Sequence, residues 1–339
     1  MNLATTSIGS LPHTQLELAL QQAFLLDIPY LPQLPLRDPA EFMVPQALDG
    51  MPGLAADREG NATLDVAAWR RGWLDAQLEK AIDRGEGLAR FEPRPAACAA
   101  WRPFAWEIEQ RRSPLAKVQI AGPMTLRWAL RTTAGEPLAA LREGLEIEAQ
   151  VLRLVLAKSL AMAARLREAG ALPIVFLDEP GLVAFDRHDG AHLVALQELR
   201  LVILGLQRAG AKVGVHCCGN TDWGHLLALP WDYVSFDLRL SLAPLLATGE
   251  AFARFVAGGG ALALGLVPTN VALGRPLPAG EEIDALVDEV HARFDPALLA
   301  RSLLTPACGL GMRSVPDAER IFALLQRAQR RLADRSTGR

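Results

Sequence analysis

The sequence predicts an α/β chain folded as a (β/α)8 TIM barrel, and three observations carry that expectation. Short β-branched or apolar runs recur along the chain. Long amphipathic stretches separate several of them, and polar and thiol-bearing residues collect just past their ends. At 339 residues and 50% hydrophobic content, the chain can bury one large core.

Strands are expected at Ala4–Ile8, Ile28–Leu34, Lys117–Ala121, Pro173–Leu177, Val213–His216, Tyr233–Phe236, Ala261–Leu266 and Ser302–Leu304. Each is a short run of the kind that a parallel sheet buries on both faces. Helices are expected where apolar residues recur at helical spacing against an Arg/Glu face, as in Leu138–Ala169 and the closing Ala318–Leu332. The interval from about 37 to 114 breaks this rhythm. Rich in Pro, Gly and Trp, it reads as an insertion of loops and helices after the second strand, within a single domain spanning 1–339.

Net charge is −3 with the arginines scattered, so neither a nucleic acid nor a membrane surface is an expected partner. Four cysteines do not make a disulfide framework, and three of them fall in two motifs, which favours a reducing compartment and metal ligation. The N-terminus lacks the pattern of a signal peptide, and charged residues interrupt every apolar run, so a cytoplasmic location is expected.

On a barrel of this kind the residues just past each strand form the active site. Here those are Gly9-Ser10, Gln33, Gly122-Pro123, Asp178-Glu179-Pro180, His216 to Cys218, Asp237, Pro268-Thr269 and Cys308. A strand-end His-x-Cys joined by a distant strand-end Cys is a thiolate-rich donor set for Zn2+. Three such donors with one open or weak position suit a catalytic zinc better than a closed structural one. Cys217 alternates to the other face of its strand and reads as a buried, inert thiol. His13 and His225 read as loop or helix-start histidines. Asp178 and Glu179, adjacent carboxylates at a strand end, are candidate catalytic residues, though a turn with a helix cap would use the same residues. Ser10 is a candidate binding residue, and Arg37 and Arg313 are by default solvated.

The chain resembles the superfamily of cobalamin-independent methionine synthase, uroporphyrinogen decarboxylase and the corrinoid-dependent zinc methyltransferases. The matching stretches are Ile8-Gly9-Ser10-Leu11-Pro12-His13-Thr14, Ala121-Gly122-Pro123-Met124-Thr125, Leu177-Asp178-Glu179-Pro180-Gly181-Leu182, His216-Cys217-Cys218-Gly219-Asn220 and Cys308-Gly309-Leu310-Gly311-Met312-Arg313. The resemblance implies zinc held by His216, Cys218 and Cys308. Asp237 stands where methionine synthases place a ligating Glu. Ser10, the Ile8 backbone and Asp178 match the positions that hold the amino-acid end of homocysteine, and Gln33 lies nearest where the family places a Gly-Glu beside the substrate amine.

Folate-using members keep a His after the seventh strand, but this chain has Leu264-Gly265-Leu266-Val267-Pro268-Thr269. That leans the expected donor toward a methylcorrinoid, with a corrinoid protein as an expected partner and methyl-folate as the alternative. The implied function is methyl transfer to a thiol substrate, homocysteine first. The alternatives are a lyase like uroporphyrinogen decarboxylase and a non-catalytic, zinc-containing corrinoid-binding accessory protein.

Overall fold

The computed structural model describes residues 3–72, 74–269 and 277–336. Its strands are β1 (Ala4–Thr5), β2 (Leu54–Ala56), β3 (Ala62–Leu64), β4 (Leu115–Ala121), β5 (Arg131–Thr132), β6 (Leu172–Asp178), β7 (Lys212–Cys217), β8 (Tyr233–Asp237), β9 (Ala261–Val267) and β10 (Leu303–Pro306). Seven of them form one curled parallel sheet in the order β1-β10-β9-β8-β7-β6-β4. Parallel neighbours need long crossovers, and the helices Gly144–Glu168, Gly190–Arg208 and Glu250–Ala257 lie on three of these. Because helices cover one face and the barrel interior the other, β9 is buried at every position. That is why it reads as an unbroken apolar run.

The sequence predicts eight strands in a closed ring, whereas the regular sheet has seven and is open between β1 and β4. Residues 28–33 fill that gap without forming a regular strand. Ile28 N donates to Thr5 O and Gln33 N to Gly9 O on one side. On the other, Lys117 N donates to Pro29 O and Leu31 N to Lys117 O. Isolated bridges pair Ser10 with Gln33 and Tyr30 with Lys117. The physical reason is the run Ile28-Pro29-Tyr30-Leu31-Pro32-Gln33-Leu34-Pro35, in which a proline at every third position withholds an N–H from the ladder.

Between residues 37 and 114 the chain contributes no strand to this sheet. It builds the helices Met43–Leu48, Asp75–Arg84 and Trp101–Arg111 and the hairpin β2–β3, which pairs in parallel with β5. This second, three-stranded sheet is not among the elements expected from the sequence. The barrel interior has its own small apolar cluster of Ile28, Ile174, Phe176, Ala263 and Leu303, distinct from the large core between sheet and helices. Among the described residues no single helix is long and apolar enough to cross a membrane.

Candidate metal centre

His216 lies on β7, one strand from Asp178 on β6, and the two are register partners. Side chains alternate along a strand, so His216 faces into the barrel while Cys217 turns away into the core. Cys217 is fully buried there, and its thiol donates to Gly219 O at 3.4 Å. Cys218 follows the end of β7 and returns toward the barrel mouth, where Cys308, just past β10, meets it. The ligand atoms of His216, Cys218 and Cys308 all lie within 4.8 Å of one another, close enough to share one ion.

The donor set fits zinc, and His216 provides the clearest evidence. Its Nδ1 is 2.9 Å from Ser235 Oγ on β8, while Nε2 is buried without a hydrogen-bond partner. A hydrogen-bond partner that fixes one ring nitrogen so that the other faces the two cysteine sulfurs is the arrangement expected around a ligating histidine. The sulfurs are likewise prepared. A hydrogen bond from Cys308, and then the neighbouring His216 ring, hold the Cys218 thiol well below its ordinary range, while burial works against them. Cys308 is pushed up because Cys218 accepts its proton and because it is buried. Metal ligation requires thiolates, and of the two sulfurs Cys218 is the one whose surroundings favour that form. Burial instead pushes Cys217 up to about 12, leaving it an inert thiol.

These donors line a cavity of about 260 Å³ together with Ile8, Ser10, Gln33 and Asp178. Pro35, Phe42, Met43 and Met312 supply an apolar wall to the same space. Asp178 is 6% exposed, its Oδ1 has no hydrogen-bond partner, and burial pushes its carboxyl up to about 6 against the pull of His216 and Lys117. The Ile8 carbonyl is engaged from below by Lys117 Nζ at 2.7 Å. Ser10 Oγ accepts from Gly311 N at 3.2 Å, and the Gln33 amide donates to Gln46 Oε1.

Two expected site residues are placed differently. Glu179, expected as catalytic, does not line the cavity. It is fully buried and clamps the first turn of the helix Pro123–Ala129: its carboxylate accepts from Met124 N at 3.1 Å, Thr125 N at 2.7 Å and Thr125 Oγ1 at 2.6 Å. Burial pushes it up to about 7 despite those bonds. Asp237, the expected fourth ligand, is not in the donor cluster. Its Oδ1 caps the helix Leu238–Ala247, accepting from Arg239 N at 2.9 Å and Leu240 N at 3.3 Å. A carboxylate directly before a helix is drawn to the unpaired N–H groups of its first turn.

The remaining candidates lie apart from the donors. His225 pairs with Asp222 at 3.1 Å, and His13 is buried with Nδ1 unpartnered. Arg37 approaches Glu41 at 3.7 Å, and Arg313 donates to Thr269 O. Sequence reasoning missed Ser235 and the buried pair Lys117 and Gln119. A polar residue inside an otherwise apolar strand was the available signal for all three.

No family model and no curated protein sequence matches the chain. Among solved structures, a methyltransferase from Methanosarcina mazei superposes with a TM-score of 0.58 at 14% identity, over 96% of this chain and 94% of that one. A proposed vitamin-B12 independent methionine synthase from Listeria monocytogenes gives 0.44 at 16% identity, over 68% of this chain and 69% of that one. The first likeness establishes a shared fold and nothing finer, and the second is too loose to argue from.

Proposed function

We propose that the chain is a zinc-dependent methyltransferase acting on a thiol, with homocysteine as the leading acceptor and a methylcorrinoid as the leading donor. The observation that carries this reading is one cavity joining a His/Cys/Cys donor set to a buried carboxylate oxygen with no partner. Zinc held by His216, Cys218 and Cys308 would lower the pKa of an entering thiol and so supply a nucleophilic sulfur at neutral pH.

The chain's own residues do the rest. Ser235 keeps His216 Nε2 directed at the donor cluster. Asp178 Oδ1 is available to anchor a substrate ammonium by a charge-assisted hydrogen bond. Phe42 and Met43 offer an apolar surface for the body of the substrate. The new bond is sulfur to methyl carbon, and the electron pair of the broken bond leaves with the donor. The stretch Leu264–Thr269 carries no acid to protonate a leaving group. That suits a methylcorrinoid, which would supply the methyl group by cleavage of its cobalt–carbon bond, both electrons staying on the cobalt as it becomes low-valent, with no proton needed.

The test is a zinc assay combined with methylation of a thiol panel, using methylcobalamin and methyl-folate as alternative donors. Zinc at about one per chain, lost in Cys308→Ser, with homocysteine methylated from methylcobalamin, is the expected result. Turnover from methyl-folate alone would overturn the donor. Zinc-loaded protein that methylates no thiol from either donor would overturn the reaction class.

A further inference from the structure

Lys117 rises from β4 inside the barrel and is 1% exposed. Its ammonium donates to the Ile8 carbonyl at 2.7 Å and Gln119 Oε1 at 3.1 Å, lies 4.9 Å from the centroid of the Phe176 ring, and feels the charge of Asp178. Its hydrogen-bond partners are neutral, and a buried ammonium with no directly bonded counter-charge costs stability, whereas a methionine would fill the same volume more cheaply. The contacts beyond Lys117 lead toward the metal donors. Gln119, oriented by Lys117, donates to Leu31 O at 2.7 Å. Gly9 lies so close to that amide, with φ +154°, that a Cβ there would sit 2.4 Å from Gln119 Nε2. Ser10, the next residue, is locked to the loop after β10: its carbonyl accepts from Leu310 N at 2.9 Å and its hydroxyl from Gly311 N at 3.2 Å. A Cβ on Gly309 would come within 2.2 Å of Ser10 Oγ, so that loop is in tight contact. Cys308 immediately precedes it.

We propose that Lys117 is a positioning residue of the metal centre: it pins the Ile8–Ser10 turn from inside the barrel, and the turn holds the Cys308 loop in ligating register. The inference rests on the reading that His216, Cys218 and Cys308 hold a metal ion. It assigns the buried charge to the geometry of one ligand, through two layers of contact that are each within hydrogen-bond distance or closer packing.

The experiment measures zinc affinity by competition with a chromophoric chelator, and thiolate-to-metal charge transfer in the cobalt(II)-substituted protein. The chains compared are wild type, Lys117→Met and Lys158→Met. Lys158 is a second buried lysine, bound to Gln46 O at 2.9 Å on the insertion side, and controls for loss of a buried charge. Lys117→Met should bind zinc about 10-fold more weakly, the low end of the loss on removing a direct outer-shell partner because it acts through two layers of contact, and lose the part of the charge-transfer intensity due to Cys308. Lys158→Met should bind as wild type does. Gly9→Ala, which drives a methyl into Gln119, should reproduce the Lys117→Met loss and covers the case in which Lys117→Met does not fold. Wild type that fails to bind zinc would remove the underlying reading, and the inference with it. Wild type that binds while folded Lys117→Met, or Gly9→Ala, binds equally tightly would overturn the inference and leave the zinc reading standing.

Discussion

Replacing Gly122 by Ala tests whether Glu179 is a structural clamp or a catalytic group. Gly122 has φ −77° and ψ 160°, an ordinary extended conformation, so its backbone does not demand glycine. The space does. An added Cβ would lie 2.1 Å from Glu179 Oε1, 2.3 Å from Cδ and 2.7 Å from Cγ. The carboxylate would have to leave, stranding the buried N–H groups of Met124 and Thr125 and the Thr125 hydroxyl. Each abandoned buried donor costs about 1–3 kcal/mol. With partial rescue by rearrangement or water, the total should come to about 2–5 kcal/mol. For a chain of this size that is a fall of roughly 3–7 °C in Tm, read by calorimetry or circular dichroism. Glu179→Gln keeps the volume but turns an amide N–H toward the same donors, so it should lose about 1.5–3 kcal/mol while holding its zinc. A Gly122→Ala variant within about 0.5 kcal/mol of wild type, the range of an ordinary surface change, would refute the clamp. Glu179→Gln that melts like wild type but transfers no methyl group would return Glu179 to the catalytic role expected from the sequence.

Three further outcomes are expected. Ser235→Ala frees the His216 ring from its 2.9 Å contact, and zinc affinity should fall about 10–100-fold in a chelator competition, with the fold intact. Asp178→Asn should retain zinc yet weaken calorimetric binding of amine-bearing thiols far more than of thiols without an amine; equal losses for both would disprove the anchoring role. Stability of the metal-free protein should also depend on pH through Glu179, whose folded pKa of about 7 lies above the ordinary 4.5. Below both values the folded and unfolded states are protonated alike. Between them the folded state keeps a proton that the unfolded state releases, so stability falls as pH rises through that window. The urea midpoint of wild type should therefore drop from pH 5 to pH 7.5, and that part of the drop should vanish in Glu179→Gln.

The sequence by itself determined the strand-rich α/β pattern and singled out His216, Cys218 and Cys308 as a candidate donor set, because these depend on local run length, composition and position at a strand end. It also suggested the fate of Cys217, since alternation along a strand is a local property. The open seam beside β1 was foreshadowed by Pro29, Pro32 and Pro35 in a run that reads as a strand by its apolar residues alone. What only the tertiary structure decided is which carboxylate does what. Asp178 and Glu179 are adjacent in sequence and chemically alike, and their alternation sends them to opposite destinations. One faces the cavity with an unpartnered oxygen; the other faces a helix N-terminus that is brought alongside only when β4 pairs with β6. Asp237 is claimed by the helix that follows it. Ser235 acquires meaning only when β8 lies beside β7, and Lys117 only when the turn after β1 closes over it. Such assignments depend on distances between segments far apart in the chain, which no local pattern encodes.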